Sequence, residues 1–208
     1  GEAARYLADA FDDMWLRAGV RFRRVRRTHR HVVRAARGAH MDSSANPPVL
    51  VGVVEGVPLR LRVSRALQLQ ALAAERTIWI ASAYFMPSWS EMEALAGAAR
   101  DGVDVRVLVP SRYDHPWLRG FTTRFYRRLL RNGVKLWEWD GEMMHAKTSV
   151  IDSRWVRIGS TDFNPLGVAI NYEIDVLIED AAIAREAEAM FLDDLTQSKQ
   201  ITMEKVPR

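Results

Sequence analysis

The stretch MMHAKTSVIDSRWVRIGSTDFNP, residues 143 to 165, reads as two apolar strands joined at Asp152-Ser153, yet it carries His145 and Lys147 two positions apart. On a strand that spacing puts both side chains on one face. Asp152, Gly159, Ser160 and Asn164 follow at fixed offsets. A lone histidine on a strand is ordinarily a packed core or surface residue, but six specified positions in register are a far more specific signal. Phosphodiester chemistry fits these residue types. Its negative charge repels nucleophiles, so cleavage needs a nucleophile, a general acid for the leaving oxygen and positive charge around the phosphoryl oxygens. An imidazole, with a reference pKa near 6.5, is largely neutral at pH 7 and can attack phosphorus, splitting one displacement into two easier ones. Lys147 can neutralise one phosphoryl oxygen, and Ser160 and Asn164 can donate neutral hydrogen bonds to the others. No metal is needed in such a scheme.

The stretch resembles the HKD motif of the phospholipase D superfamily in its extended form, which ends in Gly-Ser-x-x-x-Asn. NYEID at 171–175 resembles the same family, which places a glutamate shortly after that asparagine. The segments ASAYFMPSWSEMEALAGAARDGVDVRVLVPSRYDHPW and LLRNGVKLWEWDGEMMHAKTSVID are similar to the corresponding parts of bacterial cardiolipin synthases. The resemblance covers about residues 75–195. It is highly specific for the superfamily and less so for cardiolipin synthase. It implies an α/β fold, the phospholipase D-like α/β/α sandwich, with a mixed β-sheet flanked by helices. It also implies transfer of a phosphatidyl group between two phospholipid molecules through a phosphohistidine. The catalytic set would be His145, Lys147, Asp152 and Glu173, with Gly159, Ser160 and Asn164 around the substrate phosphate and no cofactor. Glu173 would accept from the far ring nitrogen of His145, fixing its tautomer. Asp152 belongs to the motif but sits at a turn, where aspartate is favoured for backbone hydrogen bonding, so a structural role is its first reading and a catalytic one its second. The substrate would be an anionic phospholipid, and the chain a bacterial protein peripherally associated with the cytoplasmic membrane surface.

That scheme lacks a general acid. In the superfamily the resemblance assigns it to the histidine of a second HKD motif across a pseudo-two-fold interface. His29, His31, His40 and His115 have no lysine two residues on. A second HKD half is therefore expected, either a preceding repeat or a homodimer partner. A sequence echo bears on this: ARYLADAFDD at 4–13 matches AREAEAMFLDD at 184–194 in its Ala-Arg, its Phe seven residues after the Ala and its acids. Either two amphipathic helices look alike by chance, or residues 1–18 are the closing helix of an earlier repeat. Three other functions stay open: a homodimeric phosphodiesterase or nuclease acting on nucleic acid, a hydrolytic phospholipase D, and a non-catalytic lipid-binding half.

A scaffold must hold these groups, and strand and helix signals alternate along most of the chain. Strands are expected at VLVGVVEG, TIWIASAYF, VDVRVLVP, VKLWEW, HAKTSVI, WVRIGS and YEIDVLIE. Helices are expected over 1–18, 60–75, the SEMEALAGAARDG segment with Ser90 as N-cap and Gly102 at its end, 116–132 and 181–195. Alternation first and clustered strands later predict a mixed sheet with helices on both faces. DSSANPP ends at Pro48, dividing the chain into residues 1–48, a helix and an arginine-rich linker, and residues 49–208, the phospholipase D-like domain.

The composition is that of an ordinary globular protein, 208 residues with 48% apolar and 27% charged. The absence of cysteine excludes disulfides, thiolate zinc sites and a catalytic cysteine. No apolar run approaches the roughly 20 residues of a membrane-spanning helix. Nine arginines and no acid lie between Arg17 and Met41; without them the net charge of +4 becomes −5. That run suits lipid phosphates, a nucleic-acid backbone or a solvated linker equally. In the 116–132 helix, Trp117, Phe121, Phe125 and Leu129 recur at four-residue steps beside five arginines. A core-facing stripe with a solvated back is the first reading and a helix meeting anionic lipid the second. Trp79, Tyr84, Phe85 and Trp89 cluster about a strand end, where they either pack the core or line a ligand channel.

Overall fold

The computed structural model describes residues 2–19, 39–42, 49–58, 62–115, 117–165 and 170–206. The arginine run between residues 20 and 38 lies outside them. Nine strands among the described residues form one sheet: β1 (Ala39–Asp42), β2 (Val49–Gly56), β3 (Thr77–Ser82), β4 (Asp104–Pro110), β5 (Lys135–Trp139), β6 (Lys147–Ile151), β7 (Trp155–Gly159), β8 (Glu173–Glu179) and β9 (Ser198–Ile201). Their order across the sheet is β1-β2-β8-β7-β6-β3-β4-β5-β9. β3, β4 and β5 run parallel, and every other pairing is antiparallel, so the sheet is mixed as expected. Among the described residues the main helices are α1 (Glu2–Gly19), α2 (Arg62–Ala73), α3 (Trp89–Arg100), α4 (Trp117–Arg131) and α5 (Ala181–Thr196), and a 3-10 turn spans Met203–Lys205.

Period-two alternation sorts the sheet's two faces. In β3, Ile78 and Ile80 join one core with Leu67 of α2, Leu95 of α3 and Leu129 of α4. Trp79 and Ala81 point the other way, into a smaller core with Ala184 and Phe191 of α5. Trp79 stacks on Phe191 at 5.5 Å. Helices therefore cover both faces. The cap of α3 is Ser88, not Ser90: its hydroxyl accepts from the Glu91 N–H while Glu91 returns to the Ser88 N–H, a complete capping box. Ser90 falls inside the helix.

Other elements depart from the sequence expectation. β1 lies in the segment read as a linker and pairs with β2, and polar SKQI forms the edge strand β9. α1 packs on β1 and β2. The phenylalanine shared by the two echoing helices has opposite surroundings, Phe11 being 53% exposed in α1 and Phe191 buried in α5. On α4 the buried positions are Leu118, Thr122, Tyr126 and Leu129; Trp117 and Phe121 lie outside, 62% and 45% exposed. The predicted core stripe thus holds for Phe125 and Leu129 and fails for its first two members.

The register places the chemistry-bearing residues along one edge of the sheet. Ser82, last in β3, faces Lys147, first in β6. Gly159, last in β7, faces Asp175 of β8, and Gly56, last in β2, faces Glu173, first in β8. Strand ends and strand starts thus meet at the rim where β3, β4 and β5 deliver their carboxyl ends.

Candidate active site

His145 precedes β6 in irregular backbone and is exposed. The Ala83 N–H bonds the Ala146 carbonyl at 3.0 Å, carrying the β3–β6 contact one step beyond the strand and aligning His145 with it. Lys147 is 8% exposed, and its Nζ stands 3.3 Å from each ring nitrogen of His145. An ammonium can only donate, so the nitrogen that accepts from it carries a lone pair. The same ammonium is 3.0 Å from Asp162 Oδ2. The other Asp162 oxygen accepts from the Ser82 hydroxyl at 3.1 Å and the Tyr84 N–H at 3.0 Å. Asp162 therefore positions the lysine and ties the loop after β7 to the loop after β3. A second tie runs from the Met86 N–H to the Phe163 carbonyl at 2.7 Å.

Tyr84 walls the histidine. Its ring meets His145 edge-on at 5.8 Å, and Lys147 Nζ lies 5.7 Å from its centroid. Burial, with a hydrogen bond to Asp114 and the carboxylates of Asp114 and Asp162, pushes the phenol up to about 12, so it stays protonated and donates to Asp114 at 2.7 Å.

Ser160 follows β7. Its hydroxyl donates to Glu173 Oε2 and accepts from the Ile174 N–H at 3.0 Å. Burial raises the Glu173 carboxyl above its ordinary range, against hydrogen bonds from Ser160 and Asn171 that lower it. Gly159 is required by packing: a Cβ there would lie 1.9 Å from Asp175 Oδ1 and 2.6 Å from Asp175 Cα. Asp175 in turn pairs with Arg157 at 3.0 Å, both 1% exposed, and accepts from the Thr161 hydroxyl. Arg157 also donates to the Thr161 carbonyl at 2.9 Å, so this buried pair fixes the backbone between Ser160 and Asp162.

These groups open into one cleft of about 980 Å³, lined by His145, Lys147, Gly159, Ser160, Asn164 and Glu173 together with Tyr84, Asp162 and residues 170–172. The structure thus brings together six of the seven residues singled out in the sequence. The seventh, Asp152, is at the opposite end of β6. Its carboxylate accepts from three backbone N–H groups, those of Glu75, Arg76 and Thr77, at 2.9, 2.7 and 2.9 Å. That geometry holds the start of β3 and directs no atom into the cleft, which fits the structural reading of Asp152 rather than the catalytic one. Glu173 makes different contacts from the one expected of it. It shares the cleft with His145, but its hydrogen bonds go to Ser160 and Asn171 and the imidazole faces Lys147 instead. Of the four aromatics near β3, Tyr84 lines the cleft, Phe85 and Trp79 are core, and Trp89 is 63% exposed with Arg128 3.8 Å above its ring. Sequence reasoning missed Asp162 altogether. Its signal was an acid enclosed within GSTDFN, between two motif positions.

Residues 69–195 match the family described as cardiolipin synthase, phospholipase D-like domain. The cardiolipin synthase of Listeria welshimeri is 35% identical over 132 residues, covering 64% of this chain and 27% of that protein. This chain spans about a quarter of the length of such relatives. Among solved structures, the phospholipase D family member Nuc from Salmonella typhimurium superposes with a TM-score of 0.65 at 20% identity, over 74% of this chain and 98% of Nuc. Phosphatidylserine synthase from Haemophilus influenzae superposes with a TM-score of 0.61 at 14% identity, over 74% of this chain and 40% of that one.

Proposed function

The chain belongs to the family of cardiolipin synthase phospholipase D-like domains, and on that premise we propose that its cleft is one half of a phosphatidyl-transfer site. The observation that carries this reading is the approach of one buried ammonium to both nitrogens of an exposed imidazole, 3.3 Å each, inside an open cleft. A ring nitrogen of His145 attacks the phosphorus of a phospholipid phosphodiester. An N–P bond forms, the P–O bond to the departing alcohol breaks, and that oxygen takes a proton from a general acid. A second lipid's hydroxyl then attacks the phosphorus, gives its proton to the same acid–base group, and displaces His145. Lys147 and Asn164 meet the phosphoryl oxygens, and Ser160 joins them by turning its hydroxyl proton from Glu173 to the phosphate. Asp162 is a positioning residue that holds the lysine.

Among the described residues lining the cleft, His145 is the sole histidine. In this reading the general acid comes from a second HKD half, supplied by another repeat or another copy. The test is light scattering on the wild type and His145→Ala, each then incubated with phosphatidylglycerol vesicles or with DNA. A dimer that converts lipid, beside a variant dimer that does not, supports a site shared between two copies. A monomer inactive alone that gains transfer when supplied with a second HKD half supports the two-repeat form. Cleavage of DNA without lipid transfer, or lipid binding that never leads to turnover in either form, overturns the reading.

A further inference from the structure

The rim of the cleft continues outward into an aromatic surface that the chemistry does not use. Tyr84 donates to Asp114, the Asp114 N–H points to Met143 Sδ at 3.3 Å, and His115 comes next in the chain. His115 stacks on Trp117 at 6.1 Å, and Trp117 meets Phe121 edge-on at 5.7 Å. Trp117 is 62% and Phe121 45% exposed, two large rings packed on each other with the core behind them already filled by Leu118 and Thr122. The outward stripe then changes character. Arg124 lies 5.0 Å over Phe121, Arg128 covers exposed Trp89, and Arg131 ends the helix. Of the five arginines of α4, Arg119 pairs with Glu138, Arg128 pairs with Glu93 and Arg127 donates to the Val206 carbonyl, which leaves exposed Arg124 and Arg131 as the charges turned outward. Because α4 follows parallel strand β4, its aromatic first turns stand at the cleft edge and its arginines trail away from it.

We propose that this stripe docks the chain on a bilayer containing anionic phospholipid, with Trp117 and Phe121 entering the headgroup boundary and Arg124 and Arg131 meeting lipid phosphates. Charge complementarity selects the occupant: an indole and a phenyl ring beside the outward guanidinium groups of Arg124 and Arg131 match an anionic interface, where aromatic side chains partition and each basic residue gains attraction. The docked orientation puts the mouth of the cleft against the surface that supplies a two-chain lipid. The inference rests on the transfer reading for its purpose but is read out as binding.

The test is co-sedimentation with vesicles of phosphatidylcholine alone and of phosphatidylcholine mixed with phosphatidylglycerol. Trp117→Ser with Phe121→Ser should lower vesicle affinity about tenfold or more in both. Arg124→Gln with Arg131→Gln should lower affinity about fivefold per arginine on the mixed vesicles only. Leu69→Ser with Leu72→Ser, a more exposed apolar pair on α2, should change neither, which separates docking from general stickiness. Turnover of dispersed short-chain phosphatidylglycerol should survive the α4 substitutions. Wild-type affinity in the Trp117/Phe121 variant, or equal loss in the Leu69/Leu72 variant, overturns the proposal. Vesicle binding with no turnover of any lipid leaves docking supported and removes the transfer reading instead.

Discussion

Lys147 Nζ stands 3.0 Å from Asp162 Oδ2 and 3.3 Å from both nitrogens of His145, so a single ammonium, 8% exposed, links a loop carboxylate to the nucleophile candidate. A charge taken this far from water needs its partner. Asp162→Ala is expected to destabilise the fold by about 3 kcal/mol in urea titrations, because it strands the lysine. Lys147→Met with Asp162→Leu should recover most of that stability and none of the transfer activity. Stability additive across the two single substitutions would show that the pair is not coupled.

Asp152 belongs to the motif but lies outside the cleft. Three backbone N–H groups depend on its carboxylate, and its own backbone is left-handed at φ 54°. Asp152→Ala should cost about 2 kcal/mol, whereas Asp152→Asn, which tolerates that backbone and keeps one acceptor oxygen, should cost less. Turnover per folded molecule should stay at the wild-type level in both. A loss of turnover with an unchanged urea midpoint would place Asp152 in the chemistry.

Gly159 and Gly102 test two different reasons for glycine. A methyl group at 159 would collide with the Asp175 backbone, which cannot yield without opening the β7–β8 ladder. Gly159→Ala should therefore give little folded protein. Gly102 has φ +96° with open space around it, so Gly102→Ala should fold and lose only about 1 kcal/mol to strain. Circular dichroism melts of the two variants make the comparison; similar midpoints would refute the steric account.

Burial raises the Glu173 carboxyl, so the folded chain holds that proton more tightly than the unfolded chain does. The resulting stability is fully present below the ordinary glutamate value of 4.5 and is lost as pH rises through the raised folded value. The difference between Glu173→Gln and wild type isolates this group from the other carboxylates. The variant should be the more stable at neutral pH, with the two curves converging below about pH 4. Parallel curves would mean that the glutamate is not penalised by burial.

The cleft was legible where its logic is local. His145, Lys147, Ser160, Asn164 and Glu173 lie within 29 residues of one another, and their offsets alone marked them. Asp162 was hidden because its partners arrive through the β3–β6 register, and an acid in a loop otherwise reads as a turn residue. α4 was misread for a geometric reason. Steps of four residues overshoot a helical turn by about 40°, so three such steps turn about 120° and leave the face on which they began. Trp117 and Leu129 consequently face different surroundings, and the buried row is Leu118, Thr122, Tyr126 and Leu129. β1 and β9 are edge strands of four residues each, too short for a hydrophobic pattern to mark them, and their pairing comes from their neighbours.

The position of β8 between β2 and β7 dictates when this sheet can close. β2 leaves the ribosome well before its neighbour, which spans residues 173–179 and is translated after seven of the other eight described strands. Until then β2 and β7 each present an unpaired edge that could recruit another chain. Glu173 and the backbone partner of Ser160 are delivered by that same late strand. Nascent chains arrested before residue 173 should thus bind chaperone and remain protease-sensitive, and those arrested once β8 has cleared the exit tunnel should resist. Early protection would mean that the first strands close on each other in some other order.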